Sequence, residues 1–545
     1  MALTADPLIL GTPRWPGGVS SWPEAIAAFG PESAAARAEG GFAVGMTLPD
    51  GRVFLAVDRF ARQTLCYRTE GATLRFASRA DALGAADLDP QALFDYLYFH
   101  MIPSPRTVFR GVMRLPPGHC ALFDRGSLTV APFWQPSFQP AATASFNDLR
   151  DEFLALLRLS VKDQLDGSTP ACFLSGGTDS STVAGLICEL AQRPAATYSI
   201  GFEAQGYDEM SYARLAARQF GCDHHEYYVT PQDLVDGIAL VATGYDQPFG
   251  NSSALPAYHC ALRAKEDGVT RLLAGDGGDE LFGGNSRYAM QRVFGWYGRV
   301  PAALRGSLME PFFGLPAVAR TPLLKKGSGY ITQAKVPLPD RLQMYNLLRR
   351  LGMADVLEPG FMAEVDPDDV LRQQRAVWAC AQADNDLDRM LAYDWRYTLA
   401  ESDLPKVRRT TQLAGIDVGF PLIDDRLLAF SVRLPTHYKL RGMKLRWFFK
   451  EALKGFLPDQ IITKKKHGFG LPFGVWATQH DGLRALATDS LRSLTGRGLV
   501  RPAFVDQLLT THLPAHPGYY GEMVWILMML EQWLRGHAPD YRFQA

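Results

Sequence analysis

The sequence predicts an α/β protein in two parts, the second built on a parallel sheet and ending in a largely helical region. Three observations predict it. Up to about residue 135 the chain reads as short apolar runs broken by Gly and Pro, with strands expected at 42–48, 53–57, 65–68, 73–77 and 119–123 and a helix at 90–98. After residue 146 the rhythm changes to helix 146–164, strand 171–174, helix 181–192, strand 196–202, helix 209–220 and strand 226–229. Parallel strands need a crossover long enough for a helix, so this alternation implies βαβ units. From about residue 286 the pattern is mostly helical. Between the two parts, residues 135–145 are rich in Pro, Ala and Ser and have little periodicity, so the expected organisation is 1–135, a linker at 136–145, and 146–545.

Composition bounds the function. The chain has 545 residues, 47% apolar and 21% charged, which is ordinary globular composition with room for large cores. Lys plus Arg number 56 against 57 Asp plus Glu, so no basic excess points to nucleic acid. Seven scattered cysteines form no CxxC pair, which disfavours a zinc site or a disulfide framework and fits a reducing cytoplasm. No signal peptide is expected at the N-terminus. The longest apolar run, 523–530, is far short of the roughly 20 residues that span a bilayer, so it reads as a buried helix and no membrane partner is expected.

Two loops carry the chemistry. Ser175-Gly176-Gly177-Thr178-Asp179-Ser180-Ser181 sits between an expected strand and an expected helix. Small residues let backbone N–H groups approach an anion, the helix N-terminus adds positive potential, and the three serines offer hydroxyl donors. A glycine turn with a serine cap would explain the small residues alone; the strand–loop–helix order and the Asp favour phosphate. It is not a Walker A loop, because no GK[ST] follows. The second loop, Gly275-Asp276-Gly277-Gly278-Asp279-Glu280, follows the apolar strand expected at 271–274. Acids at the carboxyl end of a parallel strand lie where such sheets bind ligands. Asp179 and Asp279 then become hard oxygen ligands for Mg²⁺ beside a nucleotide polyphosphate.

With these loops in hand, the residues resemble the glutamine-dependent asparagine synthetase family in its PP-loop ATP pyrophosphatase domain. The resemblance runs from about residue 40 to 535. It takes in Tyr198-Ser199-Ile200-Gly201-Phe202, Tyr207-Asp208-Glu209, Asp246-Gln247-Pro248-Phe249, Asp403-Leu404-Pro405-Lys406, Pro421-Leu422-Ile423-Asp424 and the stretch 464–472. It implies ATP as substrate with Mg²⁺, conversion of a carboxylate to an acyl-adenylate with release of pyrophosphate, and attack by an amine. On this resemblance Ser175, Gly176, Gly177, Asp179, Ser180, Ser181, Gly275 and Gly277 would hold ATP, and Asp179 and Asp279 the metal. The family's catalytic lysine maps onto Lys466, where an ammonium would stabilise charge on the α-phosphate and the tetrahedral intermediate. A run of three lysines is ordinarily a solvated face; the Gly-Phe-Gly-Leu-Pro that follows favours the site.

The first part resembles the family's glutaminase domain, an Ntn-type αββα fold, through Gly40-Gly41-Phe42-Ala43, Asp58-Arg59-Phe60, Phe76-Ala77-Ser78 and Pro116-Pro117-Gly118. Glutaminases of this type attack with an N-terminal cysteine. Here Ala2 follows Met1, the match is shortened at its front, and Cys66 and Cys120 are internal, so the expectation is a degenerate domain without glutaminase activity. A second departure is Asp417-Val418-Gly419, where the family has Glu-Val-Arg. Asp417 would still accept a proton from the amine on a shorter arm, and Gly419 removes a guanidinium.

Three functions remain open on the sequence. The first is a specialised amide synthetase whose nucleophile is an amine on the substrate, similar to lasso-peptide macrolactam synthetases, which would bring a partner protease, and β-lactam synthetases. The second is an asparagine synthetase or amidotransferase fed by free ammonia or a partner glutaminase. The third, a non-enzymatic scaffold, would predict damaged nucleotide loops. The aromatic residues Trp296, Tyr297, Trp378, Tyr393 and Trp395 read as core rather than as an acceptor site.

Overall fold

The structure is a computed structural model that describes residues 7–141, 144–204, 206–315, 322–464 and 470–543. Its first part holds two antiparallel sheets. The larger comprises β1 (Leu8–Gly11), β2 (Phe42–Thr47), β3 (Val53–Val57), β7 (His119–Asp124) and β8 (Ser127–Pro132) in the order β1-β2-β3-β7-β8; the smaller has β4 (Cys66–Glu70) between β5 (Thr73–Ala77) and β6 (Met113–Arg114). Alternation along the strands builds two cores from one sheet. Phe42, Val44, Phe54 and Ala56 face α1 (Trp22–Phe29) and α2 (Pro31–Arg37), whereas Ala43, Leu55 and Val57 meet Tyr67, Leu74 and Phe76 of the second sheet. A third helix, α3 (Pro90–Phe99), packs with Cys66 in the main core, giving an α–β–β–α sequence of layers.

The segment expected as a linker is laid along the second part. Phe138 is buried and its N–H donates to the Gln382 carbonyl, while the Gln139 and Ala141 N–H groups donate to Val432 and Arg433. The two parts are also joined through Asp425. Its carboxylate accepts the Gly40 N–H at 2.7 Å, Arg59 Nη1 at 2.9 Å and Arg62 Nη2 at 3.3 Å. Gly40 and Arg59 belong to motifs of the first part, so those motifs here anchor one part to the other. Removing one member of a buried ion-pair set typically costs about 3–5 kcal/mol, since its partners stay buried and uncompensated. Asp425→Ala is therefore expected to lower the Tm by several degrees, measured by calorimetry; an unchanged Tm would contradict this anchoring.

The second part is organised by a five-stranded parallel sheet in the order β11-β10-β9-β12-β13, with β9 at Ala171–Phe173, β10 at Ala196–Phe202, β11 at Asp223–Val229, β12 at Arg271–Leu273 and β13 at Asp417–Gly419. Between strands run α4 (Phe146–Lys162) before β9, α5 (Thr178–Ala191), α6 (Met210–Phe220), and α7 (Pro231–Gly244) with α8 (Ala254–Glu266). The chain moves outward from β9 through β10 to β11, then returns to the other side of β9 for β12. The loops leaving β9 and β12 thus lie at the point where the strand order reverses, at the carboxyl end of the sheet, the usual place for a ligand crevice in such folds. The apolar run near the C-terminus lies in the helix Pro517–His537, buried along Met523–Leu534. No helix among the described residues is long and apolar enough to cross a membrane.

Candidate active site

The loop after β9 and the loop after β12 meet in the crevice, and close backbone contact fixes both. Gly176 has a φ of +68°, and a Cβ there would lie 2.4 Å from the Ala213 N of α6. A Cβ at Gly275 would lie 2.8 Å from the Ser180 N, so the loops touch through backbone alone. Helix α5 begins at Thr178, three residues earlier than its apolar pattern suggests, because Gly177 serves as its N-cap. Ser180 and Ser181 consequently sit in the first helical turn. The Ser175 N–H donates to Ser180 Oγ at 3.1 Å, and the two hydroxyl oxygens are 3.0 Å apart.

These loops border a cavity of about 1150 Å³. Of the residues expected to hold ATP, Ser175, Gly177, Asp179, Ser180, Gly275 and Gly277 line it, as does Asp279. Gly176 instead packs on α6, and Ser181 is fully buried beneath the loop. One wall is apolar, with Phe173, Leu174, Ile200, Met210 and Ala213. Four basic residues, Arg446, Lys450, Lys454 and Lys464, also line the cavity. Lys464 pairs with Glu209 at 3.0 Å and lies over the Tyr212 ring. Lys466 lies outside the described residues. Of the aromatic residues named from sequence, Tyr297, Tyr393 and Trp395 are buried and none of the five lines the cavity.

Arg446 belongs to no motif visible in the sequence. Its guanidinium sits between the two carboxylates, with Nη1 donating to Asp179 Oδ2 at 2.8 Å and to Asp279 Oδ1 at 2.6 Å, and Nη2 to Asp179 Oδ1. It stacks 4.3 Å over the Phe449 ring. Burial opposes its charge, but Asp179 and Asp279 outweigh that and raise its pKa. One cation spanning both acids shows that they converge on a common point. Two carboxylates beside a phosphate loop suit Mg²⁺, which takes one or two protein carboxylates and completes its shell with phosphate and water oxygens.

A second constellation uses Asp276, Lys406 and Asp403. Lys406 Nζ is 3.0 Å from Asp403 Oδ1 and 3.9 Å from Asp276 Oδ1, and all three residues line the cavity. Burial, partly offset by Lys406 and reinforced by Asp403 and Asp179, pushes the Asp276 carboxyl up to about 6. Lys406 is held above its ordinary range, because the two carboxylates outweigh its burial. A carboxylate poised near neutral pH beside a fixed ammonium can take a proton from an amine.

Asp417 is not brought to this site. It lies exposed at the amino end of β13, in register with Arg271, whereas the loops leave the carboxyl end. Four residues of strand separate its level from that of Gly275, roughly 13 Å at about 3.3 Å per residue. The expected role as base fails on that geometry. The neighbouring departure also has a packing explanation: a Cβ at Gly419 would lie 2.2 Å from Gln164 Oε1 and 2.7 Å from Leu273, with Arg271 at 3.2 Å, so the space for a larger side chain is filled.

Comparisons with known proteins match both parts of the chain. The asparagine synthase family model matches residues 152–535, and a glutamine amidotransferase domain model matches residues 24–134. Asparagine synthetase (glutamine-hydrolyzing) 1 of Bacillus subtilis is 24% identical over 516 residues, covering 92% of this chain and 78% of that protein. A putative asparagine synthetase (glutamine-hydrolyzing) of Mycobacterium tuberculosis is 26% identical over 454 residues, covering 82% and 67%. A further putative asparagine synthetase (glutamine-hydrolyzing), from Methanocaldococcus jannaschii, is 30% identical over 290 residues, covering 51% of this chain and 56% of that protein.

Proposed function

Because the chain belongs to the asparagine synthase family of ATP-dependent carbon–nitrogen ligases, we propose that it adenylates a substrate carboxylate and joins it to an amine without hydrolysing glutamine. The observation that carries this reading is the convergence of Asp179, Asp279 and Arg446 on the phosphate loop, with the Asp276–Lys406 pair on the same cavity. Attack of the carboxylate oxygen on the α-phosphorus expels pyrophosphate. Loop N–H groups, Arg446 and Lys450 neutralise the charge that builds on the departing group. Burial and the neighbouring Arg446 depress the Lys450 pKa, a cost that an arriving phosphate would relieve. Mg²⁺ held by Asp179 and Asp279 would add charge neutralisation at the phosphates. The amine then attacks the acyl carbon, Asp276 takes its proton, and AMP leaves. Lys466 keeps the role that the family resemblance gives it, stabilising the tetrahedral intermediate.

The absence of glutaminase activity rests on the thiols of the first part. Cys66 is fully buried and its pKa is raised by burial, while burial pushes Cys120 up to about 11. Neither can supply a thiolate near neutral pH. The nitrogen is then an amine carried by the substrate itself, as in macrolactam or lactam formation, where effective concentration replaces ammonia delivery. The cavity of about 1150 Å³ has to take both the nucleotide and the acceptor. The relatives' names favour a second reading, an ammonia-fed asparagine synthetase drawing on free ammonia or a separate glutaminase.

Pyrophosphate release from ATP and Mg²⁺ distinguishes these readings. The panel is aspartate with ammonia, aspartate with glutamine, and peptides or acids bearing their own amine. Turnover with amine-bearing acids alone is expected. Asparagine formed with ammonia but not with glutamine would establish the second reading, and turnover driven by glutamine would overturn the loss of glutaminase activity.

A further inference from the structure

Cys188 and Cys222 lie outside the cavity, 34 positions apart in sequence, yet their sulfurs are 3.7 Å apart. Cys188 is in the last turns of α5, and Cys222 follows Gly221, the left-handed residue that ends α6, directly before β11. Both side chains are half-buried, so they are held in place while remaining open to a small reagent. The Ala195 N–H donates to Cys188 Sγ at 3.3 Å, and in the contact between the two thiols either sulfur can be the donor, so Cys188 is the one of the pair with a backbone donor directed at it. Donors directed at a sulfur favour its anion. The contact with Cys222, opposed by burial and aided by the Ala195 N–H, brings the Cys188 thiol below its ordinary range. Cys222, its partner in that contact, is shifted upward.

The geometry points to Cys188 and Cys222 as a redox-active dithiol that closes to a disulfide on reaction with a low-molecular-weight disulfide such as oxidised glutathione. The Cys188 thiolate attacks one sulfur of the reagent, forming a mixed disulfide and releasing one glutathione thiolate. The Cys222 thiol gives its proton to that leaving thiolate and attacks Cys188 Sγ, releasing the second glutathione. The protein loses two electrons and the reagent gains them as one thiol and one thiolate, the latter taking its proton from water. The sulfurs must close from 3.7 Å to about 2.05 Å, a movement within reach of side-chain rotation at a chain turn. The bond would fasten the far end of α5, whose first turn carries the phosphate loop, to the start of β11. Cys66, Cys172 and Cys260 are buried, with thiols pushed up by burial, and Cys380 is exposed, which makes it the internal comparison.

The full-length protein, reduced and then equilibrated in glutathione buffers of graded reduced-to-oxidised ratio, is acid-quenched, alkylated, digested and mapped by mass spectrometry. The expected product is a peptide pair linked through Cys188 and Cys222, rising with the oxidised fraction and lost on adding dithiothreitol. Cys222→Ser is expected to trap Cys188 as the glutathione mixed disulfide. In the unsubstituted protein at pH 7, iodoacetamide is expected to modify Cys188 at least about tenfold faster than Cys380. Free thiols at both positions across the whole series, glutathione on Cys380 alone, or a link formed only in urea would each overturn the assignment.

Discussion

Asp279→Asn is expected to lower pyrophosphate release at least about a hundredfold while leaving the fold intact. Asn keeps the shape of the side chain and an oxygen that can accept from Arg446 Nη1, now 2.6 Å from Asp279 Oδ1. It removes a negative charge from the point where Asp179 and Asp279 converge. Loss of one well-placed electrostatic partner in a reaction centre costs about 10²–10³ in rate. A metal site reduced to one carboxylate should also demand more Mg²⁺, so raising Mg²⁺ is expected to recover part of the loss. Pyrophosphate assays across Mg²⁺ concentrations read both effects. A variant that keeps full rate at low Mg²⁺ would remove Asp279 from the metal site.

Asp276→Asn is expected to separate the two halves of the reaction. Adenylation does not use the Asp276 carboxylate, so exchange of labelled pyrophosphate into ATP should persist. Amide formation should fall about 10²–10⁴-fold, the usual range for a lost general base. The pH dependence follows from the same group. Burial holds Asp276 up to about 6, and the base acts as the carboxylate. Amide formation by the unsubstituted protein is therefore expected to rise as pH climbs through about 6 and to level off above it, and the variant should lack that limb. Equal losses in exchange and in amide formation would place Asp276 in nucleotide binding instead.

These two acids mark how far the sequence could be read. Local signals were strong where backbone and small residues make the chemistry. The phosphate loop, the strand at 196–202 and the Gly275–Gly277 turn stand out from spacing alone, and the structure places both loops at one crevice. Helix α1 is legible after all, with the Ser21 cap and Trp22, Ala25, Ile26 and Phe29 at helical spacing, whereas α2 is short and rich in alanine and offers little apolar contrast. Arg446 was invisible for a different reason. It reaches Asp179 across 267 positions and Asp279 across 167, and nothing in the run Leu445–Phe449 announces that approach. Asp276 reads in the sequence as part of a glycine-rich turn; its distance to Lys406 and its burial, on which its proposed role rests, are set by tertiary structure. Asp417 was misjudged because a motif fixes neighbours in sequence and not the end of the strand on which they lie.

The most direct test of the account is the fate of ATP and of the carboxylate oxygen in a single turnover. Purified protein is supplied with ATP, Mg²⁺ and the amine-bearing acid that the panel selects, its carboxylate labelled with ¹⁸O. Adenylation predicts AMP and pyrophosphate as products, with one labelled oxygen carried into AMP. ADP and phosphate as products, with label in the phosphate, would mean that the carboxylate is activated by phosphorylation and would contradict the assignment built on Asp179, Asp279 and Arg446.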